Sequence, residues 1–480
     1  MSYMISENYN NGFYSVTRGF FSNNEKRPIL LLWWIICISI HPFVKKFDLG
    51  IYLQYYDKVE EALLILVFPY LLRGLLILWN IRIWGPITVF AYLCYLFWGS
   101  LSWLFSPLKI EAFALQFLLE LKMPILAMAF IGAGDTKWII KKFLPYSKMI
   151  LLLSIALIIW QFVLPESYNT FFSAGAHQGA FFLLQERLPR AAGIFWHPGQ
   201  LATFSATMCG FYIIQLGIKK GKKQLLWIIL SFFVLLTTFS RNETFAMIIG
   251  LLVVYFFFRR EKFYGEKFIS FTVLTGLLYF ILIPIILPYV KFTMYNELGF
   301  LDFWGARAAR VAFYAKSFLL ANIKFPLGGG LGGYGGHAAD VYSSPYYLYL
   351  GFQKYWWFQR NTFLTDTFWP HVIGESGWFG FFSYCLCLFA LFKILVGKLS
   401  SKIIKIGKSS IVSANFYTHY VDTKQYMFSA LLAFTILIVN SVTAPVFTDL
   451  FSLWLGLMFL GSIQNGDAEL NGYVAPVDEL

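Results

Sequence analysis

The feature that most constrains this chain is a succession of apolar runs, each close to the roughly 20 residues that cross a bilayer, separated by short polar gaps. Lipid offers no partner to a backbone N–H or C=O, so runs of this length read as helices. Taking spans of about 17 to 23 residues, they fall near 28–44, 59–79, 86–105, 111–133, 148–164, 198–217, 225–239, 243–258, 268–290, 378–396, 426–442 and 446–463. The expected fold is an all-α integral membrane protein with about 12 transmembrane helices. Composition agrees: of 480 residues 58% are hydrophobic and only 13% charged, which excludes disorder, a collagen-like fibre and a disulfide-stapled secreted domain. Arg73, Glu120 and Lys122 sit inside apolar runs and are expected to face protein or water rather than lipid.

The formal net charge of +13 lies in the gaps between runs. That is the positive-inside pattern and not a nucleic-acid face, so no nucleic-acid partner is expected. With the N-terminus on the cytoplasmic side, the inner gaps carry Lys137, Lys141 and Lys142, then Lys219, Lys220, Lys222 and Lys223, then Arg259, Arg260, Lys262 and Lys267, then Lys398, Lys402, Lys405 and Lys408. The organisation that follows is a cytoplasmic N-terminal tail at 1–27, a transmembrane bundle of about nine helices at 28–290, a long outer loop domain at 291–377, C-terminal transmembrane helices at 378–463 and a cytoplasmic tail at 464–480. An outer loop of roughly 85 residues far exceeds ordinary connections and is expected to be functional. Cys37, Cys94, Cys209, Cys385 and Cys387 all fall within apolar runs without metal or redox spacing, so they read as small buried apolar residues. The first run lacks a clear small-residue cleavage site and reads as a retained span. No internal repeat is visible, which weakens an inverted-repeat transporter reading.

The polar residues suited to chemistry gather on the outer side. Arg187 and Arg190 precede His197-Pro198, where proline marks the start of the sixth span. Ser240-Arg241-Asn242-Glu243 forms a tight turn between two spans. Arg307 and Arg310 share one face if their segment is helical. Asp366, Trp369, His371 and Glu375 stand just before the tenth span. The guanidinium fork binds phosphate oxygens in pairs, so several arginines on one side suit an anionic head group; snorkelling or lipid-phosphate binding is the plain alternative. His371 lies near Asp366 and Glu375, which allows proton transfer. His41, His177 and His419 lack such partners and read as structural. No histidine pair has metal-site spacing and there is no Asp-x-Asp element, so a mechanism without metal or cofactor is expected. The glycine tract Gly328–Gly336 lacks the Gly-Lys-Ser/Thr ending of a phosphate loop and reads as a turn or a close backbone approach. The aromatic stretch from Tyr346 to Phe358 suits an interfacial belt or sugar-stacking faces.

Taken in order, Arg190-Ala-Ala-Gly193-Ile-Phe-Trp-His197-Pro198-Gly-Gln-Leu, Ser240-Arg241, the segment ending Ile323-Lys-Phe-Pro326-Leu-Gly328-Gly-Gly330, and Glu375-Ser-Gly377-Trp-Phe-Gly380 resemble the O-antigen polymerase and O-antigen ligase superfamily. The resemblance covers roughly residues 185 to 385; the first five spans agree only in number and hydrophobicity. It implies a GT-C-like glycosyltransferase of the bacterial inner membrane. Such an enzyme joins undecaprenyl-diphosphate-linked oligosaccharides at the periplasmic face, without a metal and with inversion at the anomeric carbon. Arg190, Arg241 and Arg307 or Arg310 then correspond to diphosphate-holding arginines, with His197 and Trp369 lining the substrate. Asp366, His371 or Glu375 would be the base.

Ligases of this kind carry a histidine about eleven residues before the glycine that corresponds to Gly377. Counting back gives Asp366, with His371 out of register, which favours a polymerase over a ligase; a short deletion would restore His371 to the ligase role. A chain-length regulator is a further partner to test for, alongside membrane lipids. A polyprenyl-glycan flippase is the alternative from another class, but it needs no long outer loop, and its charges belong deep in the bundle. The terminal Val-Asp-Glu-Leu480 is like a retention signal only by coincidence in a bacterial protein.

Overall fold

The computed structural model describes residues 28–44, 46, 62–134, 136–172, 180–183, 186–219, 223–259, 309–360, 364–365, 367–406 and 414–463. These form α1 (Ile29–Val44), a 3-10 turn leading into α2 (Phe68–Trp79), α3 (Trp84–Leu104), α4 (Ile110–Glu120), α5 (Lys122–Ala133), α6 (Thr136–Val163) and α7 (Pro165–Phe171). An antiparallel hairpin of β1 (Ala180–Leu183) and β2 (Glu186–Pro189) follows, with Leu183 opposite Glu186. Then come α8 (Pro198–Lys219), α9 (Lys223–Thr237), α10 (Arg241–Arg259) and α11 (Ala309–Ile323). The short α12 (His337–Val341), α13 (Pro345–Tyr349) and α14 (Trp356–Gln359) precede α15 (Trp369–Ile406), α16 (Ala414–Asn440) and α17 (Leu450–Leu457).

Among the described residues, Trp84–Leu104, Ile110–Ala133, Lys137–Val163, Pro198–Ile218 and Trp369–Leu399 are long and apolar enough to cross a membrane, and five further apolar helices are shorter. The expected span at 268–290 lies outside the described residues. The outer surface is apolar: Phe90, Leu93, Phe97 and Leu104 of α3 point outward while Ala91, Tyr92, Tyr95 and Leu96 are buried. A helix that is apolar on both faces fits a lipid surround.

Close contact replaces hydrophobic exclusion as the force between such helices. A Cβ on Gly74 of α2 would lie 1.7 Å from the Met128 carbonyl oxygen of α5, and one on Gly132 would lie 2.0 Å from that of Tyr70. The two backbones therefore touch where only glycine fits. Helices α3 and α15 run antiparallel in contact over much of their length. Trp84 meets Phe389 at 5.8 Å between ring centroids, Tyr95 meets Tyr384 at 4.9 Å, and Trp98 stacks on Phe379 at 5.1 Å.

Several boundaries differ from the sequence expectation. Helix α6 starts at Thr136 rather than 148, so Lys137, Lys141 and Lys142 are helical, not in a loop. The segment is amphipathic: Ile139, Ile140, Phe143, Ser147 and Ile150 face inward while Lys141 and Lys142 are exposed. The expected span 111–133 is two helices that meet at Leu121. Helix α15 begins at Trp369, so the last residues of the expected outer loop are helical. Pro370 is tolerated there because it stands in the first turn, and Gly377 at φ 65° interrupts the helix where 378 had been expected to start it. The expected last span at 446–463 is α17 followed by a 3-10 turn at Leu460–Ile463.

Candidate functional site

One end of the bundle collects the C-termini of α3, α6, α9 and α16 and the N-termini of α4, α8, α10 and α15. The glycine tract ties it together. Gly328 N–H donates to Ser102 Oγ of α3 at 3.0 Å, Gly329 N–H to the Gly374 carbonyl at 2.7 Å and Gly330 N–H to the Glu375 carbonyl at 2.9 Å. A Cβ on Gly328 would stand 2.5 Å from Gly377 N. The tract is thus a close backbone approach against the Gly377 break in α15. Aromatic residues Phe313, Tyr334, Tyr347, Phe352 and Trp357 pack into a small separate core beside it, so the stretch from Tyr346 to Phe358 is in part buried rather than an exposed belt.

Two polar clusters lie at this end. The first is buried. His371 Nε2 is 2.8 Å from Glu120 Oε1 and 3.6 Å from Glu375 Oε2, and all three side chains are buried. Gln116 Nε2 donates to the same Glu120 oxygen at 2.8 Å and stands 3.1 Å from His371 Nε2. Tyr334 N–H donates to Glu375 Oε1 at 3.1 Å. A carboxylate only accepts, so Glu120 assigns the proton to Nε2 and leaves Nδ1 as the basic nitrogen of a neutral ring. Charges removed from water persist only when paired, and a protonated His371 would face both carboxylates, Glu120 at 2.8 Å and Glu375 at 3.6 Å. His371 also borders a cavity of about 160 Å³, together with Thr365, Thr367, His337, Thr448 and Asp449.

The second cluster is basic and lies nearer the surface. Arg190 Nε donates to the Thr238 carbonyl at 3.0 Å and Nη2 to Ser240 Oγ at 3.2 Å. Ser240 Oγ in turn donates to Glu243 Oε2. Arg310, at the start of α11, lies with Arg190 within electrostatic reach of Glu243. Arg241 opens α10 with an exposed side chain, two residues before Glu243. His197 Nδ1 accepts the Gly199 N–H at 3.0 Å, which makes it a cap of α8.

The loop that carries Arg190 is held from below. Gln161 Nε2 donates to the Arg190 carbonyl at 3.2 Å, and the Ala191 N–H to the Thr237 carbonyl at 3.1 Å. Lys46, fully buried, donates to the Gly193 carbonyl and, at 2.8 Å, to the Tyr168 hydroxyl.

The structure therefore brings Arg190, Arg241 and Arg310 to one place and His371 with Glu375 to another. Arg307 and Asp366 lie outside the described residues. Trp369 turns to the helix packing: its indole N–H donates to Ser441 Oγ at 2.9 Å and its ring meets Phe381 and Tyr384 edge-on. Glu120, Gln116, Glu243 and Lys46 were not among the expected site residues. For Glu120 the signal was present, since a carboxylate inside an apolar run needs a buried partner. Lys46, in the first outer gap, carried no such mark. Among the described residues no group of three His, Cys, Asp or Glu side chains is placed to hold a metal ion. No known family model matches this chain, and no curated protein matches it.

Proposed function

We propose that the protein is a bacterial polysaccharide polymerase of the GT-C-like kind. It would transfer a growing undecaprenyl-diphosphate-linked glycan onto a new lipid-linked repeat unit at the periplasmic face of the inner membrane. The observation that carries this reading is the placing of three arginines and a buried imidazole flanked by carboxylates at the same end of an apolar helical bundle. In the step proposed, an acceptor hydroxyl oxygen attacks the anomeric carbon of the donor and its proton passes to His371. The bond from that carbon to the diphosphate breaks, with the electron pair leaving on the diphosphate. Arg190, Arg241 and Arg310 stabilise the charge that develops there, as positioned hydrogen-bond donors do. Glu120 and Glu375 then balance the imidazolium.

The test is Arg241→Ala. Chain extension should be lost while protein level and membrane insertion stay normal; near-normal extension would reject the assignment. A ligase that moves a finished chain to lipid A core is the second reading, favoured by one observation: His371 stands at the cavity. Gels of surface lipopolysaccharide from deleted cells separate the two. A core bearing one repeat unit means a polymerase, a bare core with long lipid-linked chains means a ligase, and an unchanged ladder turns to a transporter or to another polysaccharide.

A further inference from the structure

The segment that links α11 to α15 buries one part of its aromatic residues and presents another. Tyr346, Tyr347, Phe352 and Trp357 belong to the small separate core. Their neighbours face away from it: Leu348 and Tyr349 of α13 are 63% and 65% exposed, and Trp356 of α14 is 57% exposed. At the end of α11, Ile323 and Phe325 are exposed as well. Lys324, between those two, holds its ammonium 5.9 Å from the centroid of the Tyr346 ring, which ties the end of α11 to α13. Large apolar side chains gathered in this way mark a face that meets a partner or a membrane.

Two observations say what covers this face. The first is continuity with the lipid-facing surface of the bundle. The Phe325 ring meets Phe379 at 6.0 Å between centroids, and Phe379 begins the outward stripe of Phe379, Phe382, Leu386 and Phe389 on α15. Phe318 stacks on Trp378 at 5.6 Å and the Trp378 indole N–H donates to Asn322 Oδ1 at 2.8 Å, so the end of α11 is fixed where that stripe starts. The second is chemistry. Tryptophan and tyrosine with lysine and arginine suit a bilayer interface, where amphipathic rings sit at headgroup depth and long cations reach the phosphates. Arg360 holds its guanidinium 5.5 Å from the centroid of the exposed Trp356 ring. By sequence, residues 341–360 hold Lys354 and Arg360 and neither aspartate nor glutamate, a charge that complements lipid phosphate.

We propose that the end of α11 together with α13 and α14 docks on the phospholipid surface at the cluster end of the bundle, with Phe325, Leu348, Tyr349 and Trp356 in the interface and Lys354 and Arg360 on lipid phosphates. The segment lies on the membrane without crossing it. The inference needs only a bundle that spans a bilayer and no part of the proposed reaction, so the behaviour of Arg241→Ala does not bear on it.

The test uses the full chain, its five native cysteines replaced by alanine, in nanodiscs of phosphatidylethanolamine and phosphatidylglycerol. A nitroxide is attached at one site at a time through Phe325→Cys, Leu348→Cys, Tyr349→Cys or Trp356→Cys. Leu386→Cys, midway along the α15 stripe, is the lipid reference and the free label in buffer is the water reference. Power saturation then compares collisions with oxygen, which concentrates in lipid, and with nickel ethylenediaminediacetate, which stays in water. At the four sites nickel accessibility should fall several-fold below the water reference while oxygen accessibility stays high, as at Leu386→Cys. Lys354→Glu combined with Arg360→Glu should raise nickel accessibility at Tyr349→Cys; no change there overturns the phosphate contact. Nickel accessibility equal to that of the free label places the face in water and overturns the docking. Low accessibility to both reagents means that a second copy or another protein covers the face, and overturns it too. All four labels replace exposed side chains, and size exclusion selects the folded variants on which the comparison is made.

Discussion

Glu120 and Lys46 are both ionisable groups that the fold buries, and they carry different consequences. Glu120 accepts from Gln116 and His371. Removing it orphans two donors, so Glu120→Ala should destabilise the protein by roughly 1–3 kcal/mol for each, whereas Glu120→Gln keeps an acceptor oxygen and costs less. Melting curves in nanodiscs check this, and coincident curves for the two variants would refute the pairing. Lys46 lies outside the spans, and burial pushes its ammonium from 10.5 down to about 7. Between those two values the folded chain holds fewer protons at this site than the unfolded one, so stability rises with pH across that window. Below about 7 both states are protonated and the full cost of burying the charge is felt. The melting temperature of the wild type should climb from pH 7 to 9, with a contribution of up to about 1.4 kcal/mol per pH unit from this group. Lys46→Met should flatten the climb; an unchanged slope would show that Lys46 does not titrate in this range.

At the scale of elements, the meeting of the glycine tract with the Gly377 break fixes where α15 starts to act as a span. A side chain at Gly328 would collide with backbone atoms of Glu375 and Gly377 at 2.5 Å, and backbone cannot give way as a side chain can. Gly351 has positive φ, at 79°, and nothing stands within 4 Å of its Cβ position. Gly328→Ala should therefore abolish the monodisperse, folded protein, while Gly351→Ala should bear only the left-handed backbone penalty of about 1–2 kcal/mol. Fluorescence-detected size exclusion compares the two; equal folded yields would refute the close approach. Much of the element pattern was legible beforehand, because hydrophobic runs and Pro198 mark α3, α8 and α9 directly. What was not legible were the ends set by tertiary contact. Asp366 to Gly377 reads as loop because it is polar and holds Pro370, yet α4 supplies Glu120 to His371 and the glycine tract supplies the Tyr334 N–H to Glu375 Oε1, so both residues stay helical. The partnership of Glu120 with His371 spans 251 positions of sequence, and no local spacing announces it.

At the scale of the whole molecule, the charge pattern and the helix directions bear on the same question. The end where Arg190, His371 and the glycine tract meet receives the C-terminus of α3 and the N-terminus of α15, as their antiparallel aromatic contacts require. The opposite end carries Lys219 at the end of α8 and Lys223 at the start of α9, either side of a sequence that also holds Lys220 and Lys222. Lysine-rich short loops favour the cytoplasmic side, so under the proposed function the arginine and histidine clusters are expected to face outward. Ser343 is exposed at the cluster end, between α12 and α13, and Lys223 is exposed at the other. In intact spheroplasts a membrane-impermeant maleimide should label Ser343→Cys and leave Lys223→Cys unlabelled until the membrane is permeabilised. The native cysteines provide the background to subtract, since all five lie in apolar helices. The reverse pattern would place the clusters in the cytoplasm, where soluble nucleotide-linked sugars are the available donors. A site built to hold a lipid-linked diphosphate at the outer face would then have to be abandoned, whatever the Arg241→Ala variant did to activity.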